Sequence, residues 1–205
     1  MILRLPKLRE PNYSCPTLPI GAAVHPATAV REIFNPRTGQ RMRFLQTAAD
    51  TDGELLRIET VNPPTAVAEP LHVHPLQETR AALVSGTLRF VVAGAERRLG
   101  PGDELTIPAG TPHSFVNDGQ TDAVAIQEAR PALRTAEFFQ TYFRLAERGE
   151  LNEHGSPSLL RFAVLGPAFA DEIRLVSPPW PVQRVLFAVL GPVARVRGLT
   201  PIDLG

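Results

Sequence analysis

The sequence predicts a mainly β protein, a small antiparallel barrel or sandwich followed by helices. Three observations carry that expectation. Between Leu71 and Glu128, short strand-like runs recur at regular spacing, each bounded by glycine, proline, asparagine or aspartate. Proline makes up 21 of the 205 residues and falls where strands would be punctuated and helices ended. After Pro131 the apolar spacing changes from the alternation of a strand to the period of a helix.

At 205 residues and 43% hydrophobic content the chain suits one core with extensions better than two full domains. Basic and acidic residues balance at 21 each, so no net field draws the protein to nucleic acid or acidic lipid. The single cysteine, Cys15, excludes an intramolecular disulfide and a thiolate zinc cluster, which fits a reducing, cytoplasmic location. Met1 to Arg9 is basic and apolar but broken by Pro6, and lacks the continuous apolar stretch of a signal peptide. The expected organisation is an irregular N-terminal arm over residues 1–33, a β-barrel over 34–130 and a helical extension over 131–205.

In the arm, five prolines between Pro6 and Pro26 oppose any regular element, and His25 reads as a solvated or capping residue. After the turn at Asn35–Gly39, Gln40 to Thr47 alternates, with Met42 and Phe44 opposite Arg41 and Arg43. Asp50–Gly53 turns into Leu55 to Val61, completing a hairpin. Strands are then expected over Thr79–Ser85, Thr87–Val92, Glu96–Leu99, Glu104–Ile107, His113–Val116 and Thr121–Glu128.

Beyond Pro131, Thr135 is placed to cap a helix ending near Glu147, whose stripe of Phe138, Phe139, Tyr142 and Phe143 is expected to cover the barrel. A second helix starts at Ser158, is interrupted by Gly166-Pro167 and resumes over Phe169–Val176. The third runs from about Val182 to Val196. Its apolar run falls short of the roughly 20 residues a membrane span needs, and packing on the barrel or on a twin subunit is favoured over lying on a membrane surface.

The chemistry is concentrated between His72 and Asn117, which hold three of the five histidines. Residues two apart on a strand project to one side, so His72 and His74 can share one space, and His113 can be delivered to it by the loop Pro108–Pro112. Three imidazoles from stiff strands with coordination positions left open describe a catalytic metal site better than a closed structural one. Ala81, Leu83, Leu105, Ile107 and Phe115 are the expected pocket lining.

These residues also match a known pattern. Pro101, Gly102, Pro108, Gly110, His113 and Asn117 reproduce the second motif of the cupin superfamily in full, and His72, His74 and Gly86 fit its first. The span from Phe34 to Leu199 resembles bacterial single-domain cupins with a helical C-terminal extension and no settled activity. The resemblance implies a cupin-type double-stranded β-helix, or jelly-roll barrel, with a metal at its mouth.

The first motif departs from the pattern. Counting back from Gly86, the glutamate that binds metal in the family should stand at position 79, where this chain has Thr79. Glu78 would point to the opposite face of a regular strand, and only a bulge after Pro75 would bring it in as the fourth ligand beside His72, His74 and His113. Gln77 shares the parity of Thr79 and is the weaker alternative donor. Without a carboxylate the site resembles the three-histidine centres of thiol and diketone dioxygenases, which use ferrous iron.

The expected function is that of a metal-binding cupin carrying iron, manganese, nickel or zinc and performing an oxidation or dioxygenase-type reaction on a small molecule. The alternative is a non-catalytic binding or sensing barrel, with or without metal. A homodimer is the expected assembly, with membrane-surface contact through the C-terminal helices as a lesser possibility.

Overall fold

The computed structural model describes residues 32–201, so residues 1–31 of the arm, with Cys15 and His25, lie outside them, while its last two residues, Glu32 and Ile33, are strand rather than irregular chain. The strands are β1 (Glu32–Phe34), β2 (Arg41–Gln46), β3 (Leu56–Asn62), β4 (His72–Val73), β5 (Glu78–Ser85), β6 (Leu88–Val92), β7 (Ala95–Leu99), β8 (Glu104–Ile107), β9 (His113–Val116) and β10 (Ala123–Arg130). They are followed by α1 (Thr135–Glu147), α2 (Leu159–Ala168), β11 (Arg174–Leu175) and α3 (Trp180–Val196). Two antiparallel sheets face each other, one ordered β1-β2-β3-β10-β5-β8 and the other β11-β4-β9-β6-β7.

The alternation in the sequence maps directly onto the sheets. Along β3, Leu56, Ile58, Thr60 and Asn62 are buried while Arg57 is exposed. The inner faces meet in one cluster containing Leu83, Leu88, Phe90, Ile107 and Ala125. A second cluster joins Met42, Phe44, Leu56 and Ile58 to Phe143 of α1, so the aromatic face of that helix does cover the barrel. A third links Leu145 of α1 to Leu165 and Phe169.

Gly86 closes the turn between β5 and β6 at a φ of 76°, and a Cβ there would stand 2.5 Å from the carbonyl oxygen of Asp122. Both the backbone conformation and the backbone contact exclude a side chain. Gly86→Ala is therefore expected to cost about 3 kcal/mol of stability, measured by urea unfolding.

The helical extension differs from the sequence expectation in three places. Thr135 does not cap α1: Arg134 holds the cap position, and the Thr135 hydroxyl is turned instead to Gln77. Gly166-Pro167 does not break α2, which is capped by Ser158 and continues to Ala168. Pro167 is tolerated one residue from the helix end, and Gly166 serves packing, since a Cβ there would stand 2.4 Å from the Phe187 ring of α3. Finally, 169–176 does not resume the helix. It makes a turn and then supplies β11, whose Arg174 and Leu175 pair with Val73 and His72 on the edge of β4.

The third helix packs on α2 rather than on the barrel, with Phe187 edge-on to Phe162 at 5.2 Å between ring centroids. Its outward face carries exposed Val182, Val185, Val189 and Val193. Among the described residues no helix is long and apolar enough to cross a membrane.

Candidate metal centre

His72 on β4 lies directly across from His113 on β9 in the strand register. His74 follows two residues after His72, and the alternation brings its ring to the same side. The ring centroids are 4.4 Å apart for His72 and His113, 5.1 Å for His72 and His74, and 5.2 Å for His74 and His113. One nitrogen from each ring can be chosen so that all lie within 4.8 Å of one another.

The other nitrogens are already committed. His72 Nδ1 meets the carbonyl oxygen of Pro70 at 2.8 Å, His113 Nδ1 that of Thr111 at 2.8 Å, and His74 Nδ1 that of Glu172 at 2.6 Å. A carbonyl can only accept, so each Nδ1 carries the hydrogen and each Nε2 keeps its lone pair. This is the outer-partner arrangement that orients metal-binding imidazoles. Burial first, and then the neighbouring imidazoles, push His72 down to about 3. Burial pushes His74 down to about 4 and also lowers His113. At neutral pH the site is three uncharged rings presenting lone pairs to a common space, a donor set that fits a divalent transition metal.

Position 172 was not legible as part of this site. Glu172 belongs to the segment between α2 and β11, and its backbone holds His74 while its side chain accepts from the Arg134 N–H at 3.1 Å. With β11 paired to β4, the C-terminal segment orients two of the three histidines.

The carboxylate expected from the family pattern does not arrive. β5 remains regular from Glu78 to Ala82 in its pairing with β10, so Glu78 is exposed opposite Arg130 and stands apart from the histidine group. Gln77 is fully buried, but its amide is spent on the start of α1. Thr79 turns inward, as parity predicts, and its buried hydroxyl has no hydrogen-bond partner. Glu78→Ala is accordingly expected to leave metal affinity within about twofold of wild type in a competition titration, as for a surface substitution.

Glu69 is the acidic residue that sequence reasoning missed. It lines the same cavity as the three histidines and Thr79. Burial pushes its carboxyl up to about 8 from an ordinary 4.5. Its neighbour Tyr142 is pushed up to about 12, by burial first and then by Glu69, and donates to the Gly155 carbonyl at 2.7 Å. Glu69 stands three residues before His72, which hides it from any reading of strand alternation because Pro70 intervenes.

The sign of the effect on stability follows. The unfolded chain releases this proton near 4.5 and the folded protein holds it to about 8, so protonation favours the fold at low pH and that contribution fades as pH rises between the two values. In metal-free protein, Glu69→Gln is expected to reduce the loss of stability between about pH 6 and pH 9 by about 2 kcal/mol, allowing for solvent reaching the cavity. Paired urea titrations at the two pH values measure it.

The cavity has a volume of about 390 Å³. Ala81, Ile107 and Phe115 of the expected lining are in it; Leu83 and Leu105 are not. It reaches beyond the barrel to Phe138 and Tyr142 of α1, Phe162 of α2 and Trp180 of α3.

Two facing antiparallel sheets with three converging imidazoles on adjacent strands define a jelly-roll barrel with a candidate metal site. The cupin domain family matches residues 58–127, from within β3 to the middle of β10, and the barrel has the cupin-type jelly-roll fold. No curated protein matches the chain. Among solved structures, the chain is similar to KdgF from Halomonas sp., at 22% identity over 45% of this chain and 79% of that one, TM-score 0.41. It is also similar to a predicted oxalate decarboxylase from Thermotoga maritima, at 22% identity over 49% of this chain and 90% of that one, TM-score 0.44. The DMSP lyase DddQ from Ruegeria pomeroyi is 29% identical over 40% of each chain, TM-score 0.36.

Proposed function

We propose that the protein is a metal-dependent enzyme acting on a small molecule, with His72, His74 and His113 holding iron, manganese, nickel or zinc. The observation that supports this most directly is the commitment of all three Nδ1 atoms to backbone carbonyls, which leaves three lone pairs converging without a proton between them. A bound divalent metal would supply Lewis acidity and, if redox-active, electrons for an oxidation or dioxygenase-type reaction.

The chain's own residues do the rest. Three neutral ligands do not offset a divalent charge, so the site favours an anionic, oxygen-bearing substrate over water. The Thr79 hydroxyl is placed to hydrogen-bond a ligand in the cavity. Glu69 keeps a proton to about pH 8 and can donate it to a developing negative charge. The helices α1 and α2 wall the cavity and restrict water.

The test is the metal content of protein purified without added metal, followed by oxygen uptake of the ferrous-loaded protein with a panel of small organic acids. Stoichiometric metal and substrate-dependent uptake are expected. Metal without uptake for any acid would replace the oxidation reading with that of a non-catalytic, metal-dependent binding barrel.

A further inference from the structure

The cavity beside the histidines lies where three separate apolar cores meet. Phe90 and Ile107 belong to the barrel interior, Ile58 and Phe143 to the contact between the hairpin and α1, and Leu165 and Phe169 to the contact between α1 and α2; all six line the one space. A void at the junction of three otherwise well-packed clusters forfeits dispersion contacts on every wall unless something fills it. Water is a poor filler for apolar walls, since an ordered water needs two or more polar partners.

The polar groups that line this space and lack a partner are few. The Thr79 hydroxyl is buried with none. A buried hydroxyl without a partner forgoes an interaction worth about 1 kcal/mol or more, which a ligand oxygen would restore. The cavity thus pairs a long aromatic and aliphatic wall with polar groups and three nitrogen lone pairs.

We propose that the ligand is an amphiphilic organic anion, with an oxygen-bearing head held at His72, His74 and His113 and by Thr79, and an apolar body filling the space under α1 and α2. This rests on the metal reading for its head and on the cavity alone for its body. The extension is then what gives this barrel its selectivity: α1 and α2 supply walls that the barrel's own strands do not.

The experiment uses full-length protein, loaded with zinc or stripped by chelator, and straight-chain carboxylates from acetate to dodecanoate, with the matching alcohols as head-group controls, titrated by calorimetry. With zinc, affinity is expected to rise about fourfold per methylene, the gain for a buried CH₂, until the cavity is filled. The matching alcohol should bind at least tenfold more weakly. Equal affinity for butanoate and decanoate overturns the proposal and leaves the metal centre standing. Alcohols binding as well as acids overturn the anionic head. A rise with chain length in protein that takes up no zinc keeps the apolar body and overturns the metal centre, so the two failures are distinguishable.

Discussion

His113→Ala is expected to lower transition-metal affinity by at least about 100-fold, beyond the 10–100-fold that loss of an outer hydrogen-bond partner costs. The reason lies in the donor count. His113 is one of three ligands with no carboxylate to fall back on, because Thr79 offers a hydroxyl and Glu78 faces outward. The two imidazoles left, His72 on β4 and His74 just past its end, give a divalent ion only two protein ligands. The readout is metal per chain by elemental analysis, together with the thermal shift on adding zinc. Metal at about 1,000 times its dissociation constant should stabilise the wild type by about 4 kcal/mol, and the same metal concentration should stabilise a variant weakened 100-fold by about 1.4 kcal/mol or less. Retention of stoichiometric metal by His113→Ala would remove the three-histidine centre from consideration.

Glu78→Ala is the companion to that measurement. Had β5 carried a bulge near its start, the same substitution would remove a ligand. Its regular pairing with β10 predicts indifference.

How far the site could be read from sequence depended on which interactions were local. His72 and His74 share a face through strand alternation, and the loop leading to His113 carries its own punctuation, so the three histidines were legible. The outward direction of Glu78 followed from parity with Thr79, and needed only the absence of a bulge. The partners of the histidines were not all legible to the same degree. Pro70 and Thr111 stand two residues before His72 and His113, whereas the carbonyl that holds His74 comes from Glu172, 98 positions away. That contact exists because Gly166-Pro167 does not end α2 where local propensity suggests, and because the segment after it finds an open edge on β4. Tertiary pairing overrode local preference there. The same cause hid the second half of the cavity, whose walls come from helices that the sequence assigns only to covering the barrel.

Gln77→Leu is expected to cost about 2–4 kcal/mol, the sum expected from several buried polar groups left without partners. Gln77 was weighed as an oxygen donor to metal, and the structure gives it different work. Its Nε2 donates to the carbonyls of Pro131 at 2.7 Å and Ala132 at 3.2 Å, and stands 2.8 Å from the Thr135 hydroxyl, which in turn donates to Gln77 Oε1 at 3.1 Å. The side chain is 0% exposed, and Thr135 is 3% exposed. Leucine matches its volume closely, so the substitution opens little cavity; what it removes is the set of hydrogen bonds that ties the segment leading into β5 to the first turn of α1. Urea unfolding should register the loss at neutral pH in metal-free protein, where no ligand stabilisation masks it. Metal affinity is expected to stay within about threefold, because Gln77 touches none of the histidines' partners and leaves the carbonyls of Pro70, Thr111 and Glu172 in place. If stability holds and metal affinity falls instead, Gln77 belongs to the metal site after all and the assignment of its amide to α1 is wrong.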